Sequence, residues 1–199
     1  MNKIILATRN PGKIKEIRAL LSDLPIELIS LFDLPHLPEV IEDGQTLESN
    51  AVKKAKEIFH ATGIPSLADD SGLEVFALHM HPGVLSARFA GEHVTYEENN
   101  KKLLREMKDL HDSERRARFR CVIAFVDRST ENISVGICEG AIITEIRGQG
   151  GFGYDPLFIP NGYEKTFAEL SVEIKNRISH RAHALQQMRQ ILQAHFSNG

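Results

Sequence analysis

The chain has 199 residues, enough for one large domain with a substantial core. Its 42% hydrophobic and 26% charged residues are ordinary for a soluble globular protein. A formal charge of −3 argues against a nucleic-acid binder working through bulk positive charge, so any anionic ligand must be held by local cations or a metal.

The amino-terminal MNKIILATRN turns polar after a short apolar run and reads as neither a signal peptide nor a membrane span. Residues 3–8 (KIILAT) read as a buried strand, followed by RNPG and a helix in which Ile14, Ile17 and Leu21 recur at helical spacing. Asn10 suits the N-cap and Pro11 the first helical position. Pro25 closes this helix, IELISL gives a second strand, and residues 33–45, with two prolines, form a loop. From Thr46 a helix carries Leu47, Ala51, Ala55, Ile58 and Phe59 on one stripe, bordered by Asn50 and Lys54 and ended by Gly63 and Pro65.

LADDSG (67–72) sets Asp69 and Asp70 side by side before an apolar run. Taken alone, those six residues favour a turn within buried β structure. Residues 79–91 are irregular. Thr95 and Glu98 form a capping box opening a helix with Leu103, Leu104, Met107 and Leu110 inward. RARFRCVIAFVD (116–127) alternates and then becomes continuously apolar, a long strand passing into a core. RSTEN turns the chain into a further strand, ISVGICEGAIITEI. Cys121 and Cys138 lie on these strands as small core residues, consistent with a reducing compartment and a cytoplasmic protein. Thr166 and Glu169 form a second capping box, and residues from about 180 to 196 an amphipathic terminal helix. Mixed strands and helices with one long hairpin imply an α/β domain with a mixed sheet.

Four stretches could carry chemistry. TRNPGK (8–13) leads a strand into a helix N-terminus with Lys13 in its first turn, either a phosphate-binding loop or an ordinary connection. GQGGFGYDP (148–156) places four glycines in six positions around Phe152 and before Asp155, which favours a ligand loop over a plain hairpin. Lys175, His180 and Arg181 cluster near the last helix; alone they read as a solvated basic turn. Glu42 in IEDG is a loop acid that could join Asp70 on a hard divalent cation if Asp70 is metal-linked. The HMH at 79–81 lacks a third ligand at a supporting spacing and is not read as a zinc site.

TRNPGK, IEDG with SNAVKKA, LADDSGL, PGVLSARFAG, GGFGYDPLF and SHRAHAL, in that order, resemble the inosine triphosphate pyrophosphatase family across essentially the whole chain. Arg9, where many members have glycine, and Ile174, where an acid is common, are small departures. The resemblance implies one domain over 1–199, with an elongated central mixed sheet flanked by helices in two lobes and an active-site cleft between them. It implies a cytoplasmic homodimer that hydrolyses non-standard purine nucleoside triphosphates (ITP, dITP, XTP) to the monophosphate and pyrophosphate with Mg²⁺, without nucleic-acid or membrane partners. Carried onto this chain, Thr8, Arg9, Asn10, Pro11, Gly12 and Lys13 hold phosphate, with Lys54 and Lys175 offsetting charge. Glu42 and Asp70 bind magnesium. Asp70 accepts the proton of the attacking water, and Asp69 tunes its titration. Ser71, Phe152, Gly153, Tyr154, Asp155, Lys175, His180 and Arg181 contact substrate, with His180 and Arg181 reading the base and Phe152 or Tyr154 packing on it. Rival readings are a pyrophosphatase for pyrimidine or modified nucleotides and a non-catalytic nucleotide sensor.

Overall fold

Strand β1 (Asn2–Leu6) buries Ile4, Ile5 and Leu6 in succession, as a strand covered on both faces does. Residues 2–37 and 39–197 are described by a computed structural model; Pro38, in the loop expected over 33–45, lies outside them. Helix α1 (Pro11–Leu20) starts where expected, with Asn10 as N-cap accepting from the Lys13 backbone N–H and Pro11 in the first turn. Its Ile14 and Ile17 are buried. Strand β2 (Ile26–Ser30) then pairs parallel with β1, Asn2 opposite Ile26 and Leu6 opposite Ser30.

Helix α2 (Leu47–Thr62) opens with a reciprocal Thr46–Ser49 capping box and ends at Gly63, whose φ of 69° suits glycine. Its buried face carries Leu47, Ala51, Ala55 and Ile58, together with polar Asn50 and Lys54. Phe59, expected on this stripe, is only half-buried.

Strand β3 (Ser66–Val75) runs without interruption through LADDSG and pairs parallel with β1. The turn favoured by those six residues does not form. Strand alternation sends neighbouring side chains to opposite faces, so Asp69 and Asp70 need not face each other; Asp69 pairs with Lys13 and Asp70 lies 3.6 Å from Lys54.

Helix α3 (Tyr96–Glu106) carries the expected Thr95–Glu98 capping box. Strands β4 (Arg116–Val126) and β5 (Glu131–Ile142) are joined by four residues, and β6 (Phe158–Pro160) pairs antiparallel with β5. The second capping box only half succeeds. Glu169 accepts from the Thr166 N–H at 2.8 Å, but it is also drawn to Arg147 at 2.9 Å, and Phe167 is buried in the core. A turn results, and helix α4 (Val172–Ile178), which the sequence reading did not anticipate, begins after Ser171 as its N-cap. Helix α5 (His180–Ser197) is the expected terminal helix.

Among the described residues the strands form one mixed six-stranded sheet, in the order β2-β1-β3-β4-β5-β6, so the α/β expectation holds. The chain divides into two compact units, Met1–Asp70 with Cys121–Gly136 and Arg181–Gly199, and Ser71–Arg120 with Ile137–His180. The first unit packs Ile4, Leu6, Ile14, Ile17, Phe125, Leu185 and Met188 into one core. The second packs Leu73, Leu103, Phe119, Leu157, Phe158 and Phe167 into its own. Each large apolar side chain fully buried this way contributes about 1.5–3 kcal/mol.

Candidate active site

In the first unit the β1–α1 connection is pinned by its own polar groups. Thr8 Oγ1 accepts from the Asn10 N–H at 3.1 Å, and Asn10 Oδ1 accepts from the Lys13 N–H at 3.1 Å. Lys13, whose ammonium opposes the dipole of α1, finds its compensating anion in Asp69, with Nζ 2.5 Å from Oδ1. Burial pushes the Lys13 pKa down, but Asp69 and Asp70 outweigh it and hold the ammonium charged. The Arg9 guanidinium points elsewhere, donating to the carbonyls of Leu31 at 3.1 Å and Leu37 at 2.7 Å. In this structure the Arg9 side chain, expected among the phosphate contacts, braces the segment after β2.

Asp69 is fully buried. Its Oδ2 accepts from Arg181 Nε at 2.9 Å and from the Cys121 thiol at 3.3 Å. Burial alone would raise its pKa; the Arg181 guanidinium first, then Lys13 and Lys54, hold the carboxyl well below the usual carboxylate range. Arg181, 1% exposed, also donates to Glu16 on α1 through Nη1. Both acids keep the guanidinium charged against its burial.

The loop before α2 folds back onto that helix. The Gly44 N–H donates to Asn50 Oδ1 at 2.8 Å, and Lys54 Nζ donates to Glu42 Oε1 at 2.5 Å. A Cβ on Gly44 would sit 2.3 Å from Ser49 Oγ and 2.6 Å from Asn50 Oδ1, so the close approach requires glycine. Lys54 Nζ also donates to the Asp69 carbonyl at 2.7 Å and lies 3.6 Å from Asp70 Oδ1. Glu42, pushed up by burial, is brought net below its ordinary pKa by Lys54. Asp70 goes the other way: burial, reinforced by Glu42, raises it despite Lys54 and Lys13. The neighbour that disfavours the Asp70 charge is therefore Glu42. The expected mutual titration of Asp69 and Asp70 is replaced by a locked anion beside a proton-seeking carboxylate.

In the second unit Asp155 organises the glycine–aromatic loop. Its Oδ2 accepts from the Phe152 N–H at 2.8 Å and from Lys175 Nζ at 2.5 Å, both side chains being buried. Gly151 adopts φ 70°, and a Cβ there would stand 2.0 Å from Asp155 Oδ2. Lys175 Nζ lies over the half-buried Phe152 ring, 4.7 Å from its centroid, and Tyr96 flanks that ring at 6.3 Å. Gly153 O accepts from Asn100 Nδ2 at 3.1 Å. Tyr154 is a core residue whose hydroxyl donates to the Ser86 carbonyl at 2.8 Å. Of the two rings expected to pack on a base, Tyr154 is thus buried and Phe152 half-buried. His180, 4% exposed, stacks on Phe119 with centroids 4.7 Å apart. Ser71 is half-buried on β3.

The structure thus brings Lys13, Glu42, Lys54, Asp69 and Asp70 into one charged cluster, and Phe152, Asp155 and Lys175 into another. Lys175, His180 and Arg181 are all buried, which overturns the solvated basic turn. Arg181, expected to read the base, presents Nε to Asp69 and Nη1 to Glu16. Sequence reasoning missed Glu16 and gave Asn50 no site role. Glu16 lies three residues after Lys13 on α1, a spacing that marks a shared helix face.

The Ham1 family model matches residues 4–191, and the chain belongs to that family. It is 50% identical over 186 residues to the dITP/XTP pyrophosphatase of Geobacter sulfurreducens, covering 93% of this chain and 94% of that protein. It is 49% identical over 191 residues to the dITP/XTP pyrophosphatase of Desulforamulus reducens, covering 96% and 95%. The HAM1 protein structure from Coxiella burnetii superposes with a TM-score of 0.89 at 42% identity, covering 98% of this chain and all of that one.

Proposed function

We infer that this chain hydrolyses dITP, ITP and XTP to the nucleoside monophosphate and pyrophosphate, clearing non-standard purines from the nucleotide pool. The observation that carries the reading is Asp70, a buried carboxylate with raised proton affinity, set beside the Lys13 and Lys54 ammonium groups. The whole-length likeness to proteins named for dITP and XTP supports the substrate. In the step itself a water oxygen attacks the α-phosphorus, the bond to the bridging oxygen of the β-phosphate breaks, and pyrophosphate leaves. The water's proton passes to the Asp70 carboxylate. Lys13 and Lys54 offset charge on the triphosphate, and the Asn10-capped start of α1 presents backbone N–H groups to phosphate oxygens. Asp69 and Arg181 fix the position of Lys13.

The residues present fit Mg²⁺. Glu42 and Asp70 supply two hard carboxylates on either side of the Lys54 ammonium. Among the described residues no three His, Cys, Asp or Glu side chains gather into a complete cage, and Mg²⁺ commonly takes one or two carboxylates, with water and phosphate oxygens completing the shell. When bound there, the ion neutralises triphosphate charge and polarises the reacting phosphoryl group.

Phe152, Lys175 and His180 face the purine in this reading: the ring packs on the base, and the cation and imidazole provide donors to the C6 oxygen of hypoxanthine and xanthine. Adenine would turn an amino group toward those donors. The chain is a cytoplasmic homodimer acting as a single catalytic domain over 1–199. No described helix is long and apolar enough to cross a membrane.

The test is phosphate release from ITP, dITP, XTP, ATP, GTP, CTP and UTP under Mg²⁺, with and without added inorganic pyrophosphatase. Signal from ITP, dITP and XTP that needs the coupling enzyme supports the reading. Equal signals in both conditions mean direct orthophosphate release and refute it; a pyrimidine preference refutes the substrate.

A further inference from the structure

Lys54 holds an unusual position for a substrate-binding lysine. It is 6% exposed, and its ammonium is bonded to Glu42 Oε1 at 2.5 Å and to the Asp69 carbonyl at 2.7 Å, with Asp70 Oδ1 at 3.6 Å. The two carboxylates it spans are those assigned above to the divalent cation. Two cations crowded onto one such pair of carboxylates repel strongly, most of all in a buried setting. Lys54 is not alone in tying the Glu42 loop to α2. Gly44 N–H to Asn50 Oδ1 and Lys53 to Asp43, both at their own distances of 2.8 and 2.7 Å, hold that loop on α2.

We propose that Lys54 is a built-in counter-ion that fills the divalent-cation seat between Glu42 and Asp70 until a triphosphate draws it away. The inference rests on the assignment of Glu42 and Asp70 as ligands. In the protein without substrate, the ammonium hydrogen-bonds Glu42, lies within ion-pair distance of Asp70, and competes with Mg²⁺. An incoming triphosphate offers Lys54 phosphate oxygens, its ammonium leaves the carboxylates, and the seat opens when phosphate oxygens are present to complete the metal's shell. Metal and nucleotide therefore bind cooperatively, each raising the other's affinity by the same factor. The device keeps the proton-accepting carboxylate neutralised by a side chain while no substrate is present.

The test uses Mn²⁺ as the probe, its binding to the whole protein followed by electron paramagnetic resonance, with no turnover involved. Lys54→Met is expected to bind Mn²⁺ at least fivefold more tightly than the wild type in the absence of nucleotide. The tightening of Mn²⁺ binding by α,β-methylene-ITP should shrink severalfold in the same variant. Lys54→Gln, which keeps a polar group of similar length, should shift affinity in the same direction by less. Unchanged or weaker Mn²⁺ binding in both variants overturns the proposal. Glu42→Gln separates this from the reading beneath it: if that change leaves Mn²⁺ affinity untouched, the ligand assignment itself has failed. A readout independent of any variant is reductive methylation of Lys54 in the wild-type protein, located by mass spectrometry. Saturating Mn²⁺ alone, which takes the seat by mass action, should speed labelling at Lys54 relative to the metal-free protein, and an unchanged rate counts against displacement.

Discussion

Asp69 and Asp70 are chemically identical neighbours whose conservative replacements should have opposite signatures. Asp69 is fully buried between Arg181 at 2.9 Å and Lys13 at 2.5 Å. Asp69→Asn leaves two cations without their shared anion, and breaking a buried pair from one side costs about 3–5 kcal/mol. With a urea slope of about 2 kcal/mol per molar, the unfolding midpoint should fall by about 2 M. Asp70 lies on the other side of this balance. Its pKa is raised above 3.8 by burial and by Glu42, so its charge works against the native state at neutral pH. Asp70→Asn removes that penalty along with a 3.6 Å contact to Lys54, and stability should stay within about 1 kcal/mol of the wild type. Its kcat should fall about 10²-fold or more, as losses of a general base do. Urea unfolding followed by circular dichroism, with pyrophosphate release measured on the same samples, gives both numbers. If Asp70→Asn were the less stable variant, or Asp69→Asn melted with the wild type, the division into locked anion and working base would be wrong.

Gly151→Ala should raise KM for ITP severalfold, because a Cβ at φ 70° would lie 2.0 Å from Asp155 Oδ2 and displace the loop carrying Phe152; wild-type KM would show that the loop absorbs the change elsewhere. Cys121 and Cys138 are buried and unbridged, and burial pushes the Cys138 thiol up to about 12. At pH 8 its thiolate fraction is about 1 in 10⁴, so Ellman's reagent should titrate two thiols in denaturant and almost none in the native protein; rapid native labelling would contradict that burial. His180→Ala should narrow the ITP-to-GTP ratio of kcat/KM, whereas Lys13→Ala should weaken all triphosphates alike. Equal changes of selectivity in both variants would dissolve the separation of base reader from phosphate holder.

Most elements could be read along the chain because their signals are local. Asn10 with Pro11, Thr46, and Thr95 with Glu98 each announce a helix start through bonds made within one turn, and these starts appear where expected. The failures arise where distant groups outbid the local ones. LADDSG reads as a turn because Asp, Ser and Gly favour turns in isolation, yet Arg181, 112 residues away, and Lys13, 56 residues away, make the extended strand acceptable for Asp69. The Thr166 box likewise yields to Arg147, which draws the same Glu169 carboxylate that would have capped a helix.

The site divides along the same line. Residue types were legible: a phosphate-style helix start, paired acids, and a glycine–aromatic loop all carry local signatures, and the family resemblance orders them. Partner choice was not. No spacing rule says that Lys13 answers Asp69, that Lys54 spans Glu42 and Asp70, or that Arg181 turns to Glu16 and Asp69. Those pairings decide function because they make the two aspartates unequal. Three cations converge on Asp69 and hold its carboxyl well below the usual carboxylate range. Asp70 meets burial and a second acid, which raise its affinity for a proton. On a strand, alternation turns adjacent side chains to opposite faces, so one run of sequence can give two aspartates different surroundings. The unbroken β3 is what sets the two aspartates apart, and the proposed chemistry rests on that difference.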